Sequence, residues 1–312
     1  MKGKDLLSVS DLSSEDINLL LSDTMVMKAS GWLSSLGGKS LALLFEKPSL
    51  RTRVSFEVAI QQLGGQAIYL SPEEVGLGKR ESVTDVARVL DRYVDAIVAR
   101  TFSHNTLEVL ASHAKIPVIN ALSDWEHPCQ VLADLFTIYE KKGVLQDLTL
   151  AYIGDGNNVA QSLLLAAALT GLNFRIASPK NYTIGKKILS LAQGYSIDSG
   201  ATVLVTEKPT QAVLNADIVY TDVWTSMGQE TEYKKRRQVF ADYQINSKLM
   251  ALAKEDAILM HPLPAHHGEE VAEGVLDSPA SVVFDQAENR MHLTKALLVS
   301  IMGGLEVPLP EY

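Results

Sequence analysis

The sequence predicts an α/β protein of two domains, each a mainly parallel sheet flanked by helices, joined by an interdomain helix. Short β-rich runs alternate with helical patterns almost throughout, which implies βαβ units and sheets covered on both faces. The runs fall into two series with one long helical stretch between them. A length of 312 residues suits two mid-sized domains or one large one, and the two series favour two.

The first series is LALLF (41–45), AIYL (67–70), AIVAR (96–100) and PVIN (117–120). After LALLF, Pro48 and Ser49 fit a turn and N-cap, and a helix runs to Gly64-Gly65 with Phe56, Ala59, Ile60 and Leu63 as its buried stripe. The stretch 129–147 is helical in pattern and closes on Lys141, Lys142 and Gly143, as an interdomain helix would. The second series is LTLAYIG (148–154), FRIAS (174–178), TVLVT (202–206), DIVYTDV (217–223) and AILMHP (257–262). The expected domains are therefore 1–140 and 147–286, with a last helix, 287–312, packing back on the first. No short-period repeat or low-complexity tract interrupts the pattern.

A formal net charge of −9 and a pI near 5.3 argue against a general nucleic-acid binder, which needs a broad basic face. A single cysteine, Cys129, excludes an intramolecular disulfide and a cysteine-based zinc cluster. No apolar run approaches the roughly 20 residues of a membrane span. The start, MKGKDLLSVSDLSSEDI, is acidic and Ser-rich rather than signal-like, so the expected location is cytoplasmic, with no cleaved segment.

Against that acidic background, FEKPSLRTR gathers Lys47, Arg51 and Arg53 with Ser49 and Thr52 at a strand-to-helix junction. In open parallel sheets ligands bind beyond the carboxyl ends of strands. Free N–H groups of the first turn and the two hydroxyls would surround an anion, and Arg51 adds a bidentate fork. Cations at a helix N-terminus oppose the macrodipole by roughly 0.3–1 kcal/mol each, a conflict that a bound anion removes. The stretch is not a Walker loop, since no GxxxxGK[S/T] occurs.

AYIGDGNNVAQ (151–161) matches a dinucleotide fingerprint only in part: Val159 holds the third glycine position, and no acidic residue is placed for a ribose. Asn157 and Asn158 offer amides at a helix start, suited to an amino-acid carboxylate or simply to capping. In DWEHPCQ, His127 and Gln130 lie one helical turn apart, able to polarise a carbonyl and to bind an amide. TDVWTSMG places Asp222 at a strand end and Ser226, Met227 and Gly228 in a loop. His261, His266 and His267 read as structural or solvent-facing rather than as zinc ligands, in the absence of an HExxH helix.

Taken in order along the chain, these motifs resemble those of the aspartate/ornithine carbamoyltransferase family. FEKPSLRTR is similar to its carbamoyl-phosphate loop, HPCQ to its second signature, and DVWTSMG to the loop with which its ornithine-specific members bind ornithine. The resemblance implies transfer of the carbamoyl group of carbamoyl phosphate to the δ-amine of L-ornithine, giving L-citrulline and phosphate, a step of arginine biosynthesis or of urea-cycle type. It implies that Ser49, Leu50, Arg51 and Thr52 bind the phosphoryl end and that Arg100 bridges phosphate and carbonyl oxygens. His127 and Gln130 would hold the carbamoyl group, with Arg290 closing the anion site. The Pro262 and Leu263 carbonyls would accept from the carbamoyl NH₂, next to a cis Leu263–Pro264 peptide, while Asn158, Asp222, Ser226 and Met227 would hold ornithine. The resemblance makes Arg100, His127 and Asp222 catalytic, needs no metal or organic cofactor, and implies a homotrimer or a multiple of it, without nucleic-acid or membrane partners.

Two departures stand out. HPLP, with Pro262, replaces the HCLP of ornithine-specific members and resembles the aspartate-specific ones. Gly76 stands where relatives often carry a glutamine that contacts carbamoyl phosphate. The alternatives are therefore transfer to aspartate, favoured by HPLP and opposed by SMG and GDGNN, or a catalytically silent homologue that binds carbamoyl phosphate. Another amine as acceptor, such as putrescine or acetylated ornithine, fits the amino-acid-binding groups less well.

Overall fold

A computed structural model describes residues 1–30 and 34–303. The chain divides into two compact units, Met1–Phe136 together with the chain from Glu288 onward, and Thr137–Ala287. The divisions fall inside two helices rather than in loops, at 136/137 and 287/288.

In the first unit, helix α1 (Ser14–Ser30) precedes strand β1 (Ser40–Phe45), α2 (Leu50–Gln62), β2 (Gln66–Leu70), α3 (Pro72–Val75), α4 (Val83–Leu90), β3 (Ala96–Arg100), α5 (His104–His113) and β4 (Val118–Leu122). Helix α6 (Pro128–Lys142) starts here and ends in the second unit. The sheet has the order β2-β1-β3-β4 and its pairings are parallel. Apolar β1 and β3 sit in its centre, where Leu41–Leu43 and Ala96–Ala99 are 0% exposed, as strands covered on both faces must be. The N-terminal segment is bonded to β4 through Leu6 and Ile119 and closes that edge.

The second unit contains β5 (Thr149–Ile153), α7 (Asn158–Thr170), β6 (Asn173–Ala177), α8 (Lys186–Ser199), β7 (Val203–Thr206), α9 (Pro209–Val213), β8 (Ile218–Thr221), α10 (Tyr233–Val239), α11 (Ser247–Met250) and β9 (Ile258–Met260). Helix α12 (Val283–Met302) begins here and finishes in the first unit, and the expected helical residues from 304 lie outside the described ones. The sheet order is β7-β6-β5-β8-β9, all parallel. Tyr152 on β5 stacks on Phe174 of β6 and Tyr220 of β8, with ring centroids 6.5 and 5.7 Å away. Among the described residues no helix is long and apolar enough to cross a membrane.

Each order reverses at one place, between β1 and β3 in the first sheet and between β5 and β8 in the second. Strands on either side of such a point send their following helices to opposite faces, which opens a crevice at their carboxyl ends. Phe45 and Arg100 end the first pair, and Ile153 and Thr221 end the second.

Candidate active site

The first crevice gathers the cations. Ser49 caps α2, its hydroxyl oxygen accepting from the Thr52 N–H at 3.2 Å, which leaves its own proton to donate. Leu50 follows as the first helical residue, with an exposed side chain and a first-turn backbone N–H that has no acceptor within the helix. Thr52 is buried and accepts from Arg290 Nη2 at 2.9 Å, so the threonine hydroxyl also retains a proton to donate. Arg290, on α12, thus reaches the start of α2.

Arg100 ends β3, and His127 immediately precedes α6, whose first residue is Pro128. Arg100, His127 and Arg290 are all nearly buried. Burial, then the neighbouring guanidinium groups of Arg290 and Arg51, push Arg100 down to about 10. Burial, then the charges of Arg290 and Arg100, hold the His127 imidazole well below the usual histidine range, so it is neutral near pH 7. Burial also lowers Arg51. Cations that depress one another in a confined place form an anion-binding arrangement. Gln130 lies one turn along α6 and donates from Nε2 to Asp134 at 2.9 Å, with both side chains buried.

Arg53 does not join this group. Its Nε donates to Glu57 at 2.9 Å and its guanidinium stacks on Tyr69, 3.8 Å from the ring centroid, on the exposed side of α2. The cluster expected from FEKPSLRTR is therefore corrected. Two residues along a helix turn the side chain about 200°, which separates Arg53 from Arg51. Lys47 is buried, with its ammonium 4.5 Å from the Phe102 ring centroid. In the loop 71–82, Gly76 ends α3 in a left-handed conformation, with φ 58°.

The second unit's crevice is built around Asp222, directly after β8. Its carboxylate accepts from Asn157 Nδ2 at 2.8 Å and from the Val223 N–H at 2.8 Å. Burial pushes the Asp222 carboxyl up, against the opposing effects of His261 and the Asn157 hydrogen bond. Asn157 is also the N-cap of α7, its Oδ1 accepting from the Val159 and Ala160 N–H groups. Asn158 starts that helix, and its Oδ1 accepts from the Val159 N–H at 3.0 Å. Asn157 is thus tied to Asp222, a link that the capping pattern hinted at without specifying. A Cβ on Gly156 would lie 2.5 Å from Ile184 N, so the backbone of 183–184 fills the side from which a dinucleotide would approach.

Ser226 and Met227 lie in a turn where Gln229 Oε1 accepts from the Ser226 N–H at 3.1 Å, and Met227 is exposed. That loop is anchored by Arg236, which donates to the Trp224 carbonyl at 2.9 Å and to Asp155 at 2.8 Å. Burial, opposed by Arg236, pushes Asp155 up to about 6. After β9, buried His261 accepts at Nδ1 from the Leu263 N–H at 2.9 Å, which leaves Nε2 to donate to Glu270 at 3.2 Å. Leu263 has φ 55° and its peptide to Pro264 is cis. His261 therefore shapes the HPLP turn, while His266 and His267 are exposed. His266, Glu269 and Glu270 bring ligand atoms within 4.8 Å of one another, but Glu269 faces Tyr233 and Arg237, and Glu270 holds His261. Arg236 and Glu270 escape a reading of local motifs because their roles depend on partners brought by the fold, whereas Asp134 lies one helical turn from Gln130.

The family profile described as the carbamoyl-P binding domain of aspartate/ornithine carbamoyltransferase matches residues 4–140, and that of the Asp/Orn binding domain matches residues 146–301. The chain belongs to the aspartate/ornithine carbamoyltransferase family. Within it, the chain is 53% identical to the ornithine carbamoyltransferase of Anoxybacillus flavithermus over 306 residues, covering 97% of this chain and 98% of that one. It is 47% identical to the anabolic ornithine carbamoyltransferase of Pyrococcus furiosus over 310 residues, covering 98% of each. A solved ornithine carbamoyltransferase structure from Pyrococcus furiosus superposes with a TM-score of 0.94 at 48% identity, covering 98% of this chain and 99% of that chain. The family resemblance drawn from FEKPSLRTR, HPCQ and DVWTSMG is thus supported over nearly the whole length.

Proposed function

We propose that this chain transfers the carbamoyl group of carbamoyl phosphate to the δ-amine of L-ornithine, giving L-citrulline and phosphate in the direction of arginine synthesis. The observation that carries the reading is the convergence of Arg51, Arg100, Arg290 and a neutral His127 at the switch point of the first sheet.

The first unit's part is to bind and polarise. The Ser49 hydroxyl, the Leu50 N–H, Arg51 and Thr52 take the phosphoryl oxygens, and Arg290 completes the charge balance of a dianion. Arg100 bridges phosphate and carbonyl oxygens, while neutral His127 donates an N–H to the carbonyl and Gln130 binds the carbamoyl amide. As the amine attacks, negative charge develops on the carbonyl oxygen, where donors already in place stabilise it without reorganising. The same cations stabilise the departing phosphate.

The second unit's part is to hold the amino acid and receive a proton. Asn158, Ser226 and Met227 bind ornithine, with Asp222 beside its δ-nitrogen. An alkyl ammonium has a pKa near ~10.4 and attacks only once deprotonated. Burial makes Asp222 a better proton acceptor than an exposed carboxylate. The anionic Asp222 suits an ammonium, and Arg236 is already neutralised by Asp155 and Glu232. An aspartate substrate would bring a second carboxylate to a place with no spare cation among these groups. This favours ornithine despite the HPLP sequence.

A trimeric assembly, supported by the resemblance, and a cytoplasmic location, expected from the sequence, complete the proposal; sedimentation and cell fractionation test them. The decisive experiment incubates purified protein with carbamoyl phosphate and either L-ornithine or L-aspartate. Citrulline from ornithine alone is expected. Carbamoyl-aspartate as the product, or carbamoyl-phosphate binding without turnover, would overturn the reading.

A further inference from the structure

Gln130 and Asp134 form a hydrogen bond that surface helices use to gain a few tenths of a kcal/mol, but here the pair is inside the protein. Gln130 is 1% exposed and Asp134 0%, and the neighbouring Val131, Leu132, Ala133, Leu135 and Phe136 are all 0% exposed. A carboxylate on that apolar helix costs desolvation that a leucine would avoid. Its chemistry shows what it achieves. A carboxylate offers acceptors only, so the Gln130 group facing Asp134 has to be the NH₂, as the 2.9 Å bond from Nε2 to Asp134 Oδ1 has it. The amide is planar, and fixing its nitrogen fixes its oxygen. Gln130 Oε1 then remains available for a ligand, and it can only accept.

We propose that Asp134 is a positioning residue that locks the Gln130 side-chain amide with its oxygen toward the bound acyl phosphate. The site thereby selects an acyl group bearing N–H donors over one of similar shape without them. The inference rests on the reading of Gln130 as a carbamoyl contact. Carbamoyl phosphate and acetyl phosphate carry the same phosphate and differ at the acyl substituent, NH₂ against CH₃. An amide free to flip would offer its NH₂ part of the time and lose discrimination, and a locked one accepts from the carbamoyl NH₂ alone.

The test uses the full-length enzyme and measures KM for carbamoyl phosphate and the competitive inhibition constant of acetyl phosphate. In the parent enzyme carbamoyl phosphate is expected to bind more tightly. Asp134→Asn places a group that both donates and accepts beside Gln130. It is expected to narrow that preference about tenfold, the worth of one oriented hydrogen bond, with the acetyl phosphate constant nearly unchanged. Asp134→Glu keeps an acceptor-only carboxylate and is expected to restore most of the preference. Asp134→Ser provides the same reading if the Asn variant does not fold. Equal weakening of both phosphates, or an unchanged ratio in a folded variant, would overturn the positioning role. Gln130→Ala separates the two levels: an unchanged ratio there would overturn the assignment of Gln130 itself, and the inference with it.

Discussion

Asn157 donates from Nδ2 to the Asp222 carboxylate across 2.8 Å, joining the turn after β5 to the end of β8. The same side chain caps α7 through its Oδ1. One amide thus fixes both the start of a helix and the direction of a carboxylate, using opposite ends of its dipole.

Asn157→Ala separates those tasks. Loss of the cap is expected to lower stability by about 1 kcal/mol, read as a fall in the melting temperature. Loss of the Asp222 partner is expected to raise KM for ornithine by roughly tenfold or more and to lower kcat, with KM for carbamoyl phosphate nearly unchanged. Steady-state kinetics with each substrate varied in turn provide the check.

Arg51 and Arg53 are expected to part company on mutation. Arg51→Ala should weaken carbamoyl phosphate binding by roughly a hundredfold, the loss of a charge-assisted contact in a confined site. Arg53→Ala removes an exposed pair with Glu57 and a stack on Tyr69 and should cost less than about 1 kcal/mol of stability, with an unchanged KM. Similar losses in both variants would return Arg53 to the anion site.

The sequence and the structure diverge most at this pair. The strands were legible because apolar β-rich runs in buried parallel sheets need no partner to be recognised, and all those of both series are present. The site's location was legible too, since the polar motifs sit at strand ends. The helical period alone puts Arg51 and Arg53 on different faces, whereas charge density groups them. Other features depend on long-range contact. Nothing local in MHPLP says that His261 is buried against Glu270 with its other nitrogen bound to the Leu263 N–H. Nor does GDGNN show that Asn157 meets Asp222.

His127 supplies a pH test. Its folded pKa is depressed by burial and by neighbouring cations, so below the unfolded value near 6.5 the unfolded chain binds a proton that the folded one does not. Stability contributed by keeping the ring neutral is therefore full above pH 6.5 and lost as pH falls, at up to about 1.4 kcal/mol per pH unit. Thermal or urea unfolding of the parent and of His127→Asn between pH 5 and 8 is expected to differ by this slope below about pH 6.5 and to run parallel above it.

Cys129 is the only cysteine of the chain, and burial pushes its thiol up to about 12. Its Sγ donates to the Asn120 carbonyl at 3.3 Å. The native protein is expected to resist iodoacetamide and disulfide reagents at pH 8 and to label at one equivalent in denaturant. Mass spectrometry distinguishes the two states, and rapid native labelling would contradict the buried thiol.

The hydrogen bond from Arg290 to Thr52 joins residues 238 positions apart. FEKPSLRTR and HPCQ leave the ribosome well before Arg290 does. A nascent chain can therefore form the first sheet while the pocket still lacks one of its cations. Translation delivers that charge after the sheet, so polypeptides cut short before α12 are expected to bind carbamoyl phosphate poorly even where the sheet has formed. Bound carbamoyl phosphate is then expected to stabilise chains that carry α12 over chains that lack it.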